Sequence, residues 1–151
     1  MMKVHPRPTP VSSARASRTP SFKEIVTALA AWRFAEGIDG VVAIASGGIV
    51  PGALVAQRLG VDLKTITINY RNEINEPQFA QPKLVSSVPG LGDWRRVLLV
   101  DDVYLSGKSW DAARAHLPQS VEVLPFVLRG DVDFALFRGA AGFGLWPWIA
   151  D

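Results

Sequence analysis

The run Val97-Leu98-Leu99-Val100-Asp101-Asp102-Val103-Tyr104-Leu105-Ser106-Gly107-Lys108-Ser109 constrains this chain more than any other. Its continuous apolar start reads as a buried strand, and such strands belong to parallel sheets joined through helices. The strand ends in two carboxylates, and a short turn containing Gly107 opens a helix behind them. A helix opening exposes unpaired backbone N–H groups and the positive end of the helix dipole, which together favour an anion such as a phosphate. Ser106 and Ser109 add hydroxyl donors there, and Lys108 adds positive charge. Asp101 and Asp102 are repelled by that anion and suit vicinal hydroxyls, which donate to them, or a divalent cation. The pattern predicts a ligand carrying a phosphate, a diol and a metal. It is no P-loop, although Gly107-Lys108-Ser109 ends like one, because the earlier glycine of that motif falls on Asp102. The plain alternative is a strand-to-helix turn with a capping serine and exposed acids.

A second unit of the same kind lies upstream. Val41-Val42-Ala43-Ile44-Ala45 is another continuous apolar run, followed by Ser46-Gly47-Gly48-Ile49-Val50-Pro51. Gly47 and Gly48 are expected to supply positive φ and close backbone approach to a ligand. Pro51 suits a first helical turn, and the helix should run to about Arg58 with Gly60 ending it. Two units of strand, glycine turn and helix predict an α/β fold. Its open, mostly parallel twisted sheet has flanking helices and right-handed crossovers, and ligands gather at the strand carboxyl ends.

Composition keeps this within one domain. The chain has 151 residues, 48% of them hydrophobic and 20% charged, which supports a single sizeable core. It has no cysteine, so disulfides and thiolate metal sites are excluded, and two isolated histidines make a poor zinc site. Any metal should be Mg²⁺. A net charge of +2 suits a small anionic substrate and is too diffuse for nucleic acid, and no stretch approaches a membrane span. Residues 1–20 carry Pro6, Pro8, Pro10 and Pro20 with Lys3, Arg7, Arg15 and Arg18 and no acid, which reads as a disordered cytoplasmic arm. An organellar leader is the alternative. Folded structure, residues 21–151, should begin at the capping box Ser21-Phe22-Lys23-Glu24. A core stripe of Ile25, Val26, Leu29 and Trp32 follows, with a stop near Gly37.

Lys64 to Tyr70 alternates β-branched residues as a strand does, and the polar segment 71–93 after it is long enough to be a functional loop. A last strand, roughly Val121 to Leu128, ends at Arg129. Gly130-Asp131-Val132-Asp133 and an aromatic tail with Phe143, Trp146 and Trp148 follow.

The thirteen residues from Val97 to Ser109 resemble the signature of the type I phosphoribosyltransferases, which bind 5-phosphoribosyl-1-pyrophosphate (PRPP). That signature is a set of apolar residues, two acids, a few residues, then Ser or Thr, Gly, any residue, and Ser or Thr. The stretch through Leu59 resembles the xanthine and guanine members in particular. The resemblance implies transfer of the 5-phosphoribosyl group of PRPP to a nucleobase, a purine, with release of pyrophosphate and help from Mg²⁺. By it, Asp101 and Asp102 hold the ribose hydroxyls and, directly or through water, the metal. The spacing after the last strand offers Asp131 or Asp133 as a further metal ligand. Leu105, Ser106, Gly107, Lys108 and Ser109 wrap the 5-phosphate. Ser46, Gly47, Gly48, Tyr70 and Lys83 meet the pyrophosphate, and Arg71 is the catalytic cation of a flexible loop, 71–93, that closes over the site. Residues 129–151 form a small C-terminal hood, in which Arg129 reads the base and Trp146 or Trp148 stacks on it. The bland reading of those tryptophans is cover for the sheet edge. Two positions depart from the family: Ser46 stands where a Lys or Arg is usual, and Leu105 where 6-oxopurine members commonly have an Asp. A non-catalytic PRPP-sensing domain is therefore the alternative. A homodimer or higher homo-oligomer in the cytoplasm is expected, without nucleic-acid or membrane partners.

Overall fold

Ser21 starts the first helix as its sequence predicts. In the computed structural model, which describes residues 19–69, 81–139 and 145–149, Ser21 Oγ accepts from the Glu24 N–H at 3.1 Å. Glu24 Oε2 accepts from the Ser21 N–H at 2.8 Å. Helix α1 (Phe22–Ala31) buries Ile25 and Leu29. Val26 faces solvent, contrary to the expected stripe, because neighbouring positions on a helix cannot share a face. The helix also stops well short of Gly37. Trp32 leaves it in an extended conformation and sets its ring edge-on against Phe126, with centroids 5.5 Å apart.

The remaining elements in chain order are β1 (Gly40–Ala45), α2 (Ile49–Leu59), β2 (Asp62–Asn69), β3 (Lys83–Leu84), β4 (Arg96–Tyr104), α3 (Lys108–Ala115), β5 (Glu122–Gly130) and β6 (Ala135–Arg138). Gly60 ends α2 in the left-handed region, φ 68°, where a glycine carries no Cβ penalty. The strands form one sheet in the order β3-β2-β1-β4-β5-β6. All pairs are parallel except the short β2–β3 pair, which is antiparallel. The expected open, mostly parallel α/β sheet is therefore the observed one. Two strands lie in segments read from sequence as loop or tail. They are β3, inside 71–93, and β6, after the strand taken as the last. Both are too short for a period-two pattern to stand out.

Residues 97–100 of β4 are all buried, alternately on the two faces of the sheet. Leu98 and Val100 join α1, α2 and Phe126 in a core on one face, whereas Val97 and Leu99 join Ile66, Ala113 and Leu117 on the other. Each fully buried aliphatic side chain contributes roughly 1.5–3 kcal/mol, so these two cores hold the sheet between its helices. Trp146, from the described C-terminal residues, belongs to the first core. At the opposite end of β4, Asp39 Oδ2 accepts from the Arg95 and Arg96 N–H groups at 2.8 and 3.0 Å. These bonds hold the Asp39 carboxyl below the usual carboxylate range and fasten the entry to β1 beside the entry to β4.

From β1 the chain moves to one side through β2 and β3, then returns to the other side through β4, β5 and β6. The order therefore reverses between β1 and β4. At such a switch point the connections leaving the two strands part and open a crevice at their carboxyl ends.

Candidate functional site

The register that pairs Ala43 with Val100 brings the turn after β1 and the turn after β4 to the same end of the sheet. Their contact is close. A Cβ on Gly47 would lie 2.6 Å from Asp102 Oδ1, and one on Gly48 would lie 2.5 Å from the Val100 carbonyl oxygen and 2.6 Å from that of Ile44. Gly48 opens α2 at φ −83°, and neither glycine is among those with positive φ. The expectation of left-handed backbone at this turn is thus corrected: lack of space requires these glycines, and close approach alone is what they supply. The Ala45–Ser46 peptide bond is cis, and the Ser46 side chain is exposed.

Asp101 and Asp102 end the buried part of β4. Asp101 Oδ1 accepts from the Asp102 N–H at 2.8 Å, which turns the first carboxylate back on the strand. Burial, and after it the neighbouring Asp102 carboxylate, push the Asp101 carboxyl well above the usual carboxylate range. Asp102 Oδ2 accepts from the Trp146 indole N–H at 3.0 Å. Trp146 is buried and stacks on Trp148 with centroids 5.4 Å apart, and the Arg129 guanidinium lies 5.7 Å from its ring centroid. Arg129, near the end of β5, is 4% exposed, and burial lowers its pKa.

Residues 101–110 line a concave cleft. On its far side Gly107 caps α3 in the left-handed region, φ 79°, which a residue without a Cβ adopts freely. A Cβ on Gly107 would meet the Tyr104 hydroxyl and ring, and Tyr104 in turn rests edge-on against Phe134 with centroids 5.0 Å apart. The Lys108 N–H donates to Ser106 Oγ at 3.4 Å, while Leu105, Ser106 and Lys108 are exposed and Ser109 is half-buried. Trp110 pins α3 to the sheet by donating from its indole N–H to the Leu99 carbonyl at 3.1 Å. The 105–109 turn and the acidic pair thus line the same cleft.

The structure therefore gathers Gly47, Gly48, Asp101, Asp102, Arg129, Trp146 and the 105–109 turn at one end of the sheet. Lys83 stands at the same end on the outer strand, opposite Asn69, and is exposed. Tyr70, Arg71 and Phe143 lie outside the described residues. Asp133 is exposed and pairs with Arg138 at 3.3 Å, and no group of three His, Cys, Asp or Glu side chains gathers among the described residues. The acidic pair alone still fits Mg²⁺. Two hard oxygen donors sit beside each other with no ion pair among the described residues, and that ion usually takes one or two carboxylates and completes its shell with water and substrate phosphate. Two features escaped the sequence reading. Tyr104 packs on the turn glycine, a contact foreshadowed only by its short spacing from Gly107, and the Trp146–Asp102 bond spans a separation that no local pattern signals.

The switch point thus sets an acidic pair beside a glycine turn that opens a helix. Residues 15–122 match the phosphoribosyl transferase domain, and the chain belongs to that family. It is 34% identical over 84 residues to the xanthine-guanine phosphoribosyltransferase of Gluconobacter oxydans, covering 54% of this chain and 49% of that one. The chain thus spans about half the length of that relative. Solved structures that share its fold include two of high coverage. One is a purine phosphoribosyltransferase from Pyrococcus horikoshii (TM-score 0.66, 24% identity, 85% of this chain and 89% of that one). The other is a protein from Neisseria gonorrhoeae with bound ppGpp (TM-score 0.70, 21% identity, 87% and 88%).

Proposed function

We propose that this protein transfers the 5-phosphoribosyl group of PRPP to a purine base and releases pyrophosphate. The closeness of Gly47 to Asp102 carries the reading, because it sets the turn after β1 against the acidic pair. The likeness to xanthine-guanine enzymes supports a purine acceptor.

In this reading the 105–109 turn binds the 5-phosphate through its backbone N–H groups, with the Ser106 and Ser109 hydroxyls and Lys108. Asp102 and Asp101 accept from the ribose hydroxyls, which fixes the sugar with its C1 at the crevice. A purine ring nitrogen then forms a bond to C1 as the bond from C1 to the pyrophosphate oxygen breaks. The electron pair leaves on pyrophosphate, stabilised by the backbone N–H groups of Ser46 and Gly47 and by Lys83 and Arg71. Because Leu105 has no basic group, the proton on the attacking nitrogen passes to pyrophosphate or to water. Arg129, near the end of β5, would read an exocyclic oxygen of the base. Mg²⁺ held beside Asp101 and Asp102 would neutralise the leaving pyrophosphate. Cytoplasmic location and homo-oligomeric assembly belong to the same proposal. No helix among the described residues is long and apolar enough to cross a membrane.

Pyrophosphate release from PRPP, measured with guanine, xanthine, hypoxanthine and adenine in turn, tests this. Release with at least one purine, abolished by Asp102→Asn, is expected. PRPP binding without turnover on any base would overturn transfer.

A further inference from the structure

Trp146 is held differently from the other tryptophan whose indole N–H is bonded. A buried indole N–H needs an acceptor, and for Trp110 it is a backbone carbonyl. For Trp146, 6% exposed, it is the Oδ2 of Asp102 at 3.0 Å. An ionised acceptor makes this the stronger kind of hydrogen bond. The other oxygen, Oδ1, lies against Gly47, where only a hydrogen atom fits. The carboxylate is thus gripped from both sides, by the C-terminal segment at one oxygen and by the β1–α2 turn at the other. Trp148 covers one face of the Trp146 ring in near-parallel stacking, at an interplanar angle of 9°. Little of the ring remains open, so it has no free face of the size a purine needs.

We propose that Trp146 is a positioning residue for Asp102, serving the pentose end of the site, and that it is not a stacking platform for the base. The proposal rests on the reading of this crevice as a PRPP site. Loss of the indole N–H lets the Asp102 carboxylate rotate away from the orientation in which its free lone pairs meet two vicinal hydroxyls. The effect should fall on PRPP and spare the base, which is the opposite of what removal of a stacking ring would do.

Trp146→Phe keeps an aromatic ring and removes the donor. Its expected signature is a rise of about tenfold in both the Kd and the KM for PRPP, with the KM for the purine unchanged. Trp32→Phe, which thins the same core at its contact with Phe126, controls for lost packing and should leave the Kd for PRPP where it was. A second readout needs neither turnover nor a stable Trp146 variant. In the ¹H–¹⁵N spectrum of the full chain, Asp102→Ala should shift the indole resonance of Trp146 upfield and leave that of Trp110 in place. An unchanged Trp146 resonance would overturn the proposal, as would an unchanged Kd for PRPP joined to a raised KM for the purine. If the unaltered protein failed to bind PRPP, the reading of the crevice would fall with the proposal. If it bound PRPP and Trp146→Phe bound equally well, the proposal alone would fall.

Discussion

Gly47 lies so close to Asp102 that a single added carbon would sit 2.6 Å from the Oδ1 of its carboxylate. Two turns far apart in sequence therefore share one surface, and the position of the second carboxylate depends on the absence of a side chain in the first turn. Gly47→Ala should push Asp102 aside. We expect a loss of roughly 1–3 kcal/mol of stability if the crowding is relieved by backbone shift. Because the carboxylate is the movable partner, part of this cost should appear instead as weaker PRPP binding. Thermal unfolding and PRPP titration of the same sample separate the two.

Gly107 is constrained in another way. Its φ of 79° is one that residues with a Cβ rarely adopt, and Tyr104 fills the space a Cβ would take. Gly107→Ala should cost about 1–2 kcal/mol for the left-handed conformation alone. That corresponds to a fall in Tm of roughly 2–8 °C for a domain of this size. Gly107→Ala in a Tyr104→Ala background relieves the clash while keeping the φ penalty, so a double-mutant cycle read by denaturant unfolding gives the Tyr104 share.

Asp101 makes stability depend on pH in a direction opposite to most carboxylates. Its native pKa is raised by burial and by Asp102, while in the unfolded chain it returns to about 3.8. Between those values the native state holds a proton that the unfolded state has released, so stability falls as pH rises through that window and stays lower above it. Asp101→Asn keeps an oxygen to accept from the Asp102 N–H and removes the charge. The variant should therefore unfold at a higher temperature than the parent at pH 7, with the difference disappearing below pH 3.8. Calorimetric Tm values across pH check it, and a variant less stable at pH 7 would contradict it.

The sequence disclosed the parts of the site that rest on local rules. Paired carboxylates after an apolar run, a glycine before a helix and a Ser-x-x-Glu capping box are short patterns with one physical meaning each, and all lie where their patterns put them. What stayed hidden depends on distance in the chain. Gly47 and Gly48 were legible as necessary glycines, but the reason is contact with Asp102, Val100 and Ile44 and not their own φ. Trp146 read as a base platform or sheet cover because nothing in its neighbourhood names Asp102, 44 residues away, as its acceptor. β3 and β6 escaped because strands of two and four residues are fixed by the strands they pair with.

Ser21 gives a test confined to one helix. Both halves of its capping box are present, so Ser21→Ala should lower stability by about 1 kcal/mol without changing PRPP affinity, since α1 packs at the sheet face away from α3. Urea unfolding together with a PRPP titration checks both parts.

The central claim is that the turns after β1 and β4 form one PRPP site. Calorimetric titration of PRPP into the full chain, with and without Mg²⁺, tests it most directly when run beside the double variant Asp101→Asn/Asp102→Asn. Saturable binding strengthened by Mg²⁺ and lost in the double variant is the predicted result. No heat at millimolar PRPP, or equal affinity in the double variant, would contradict it.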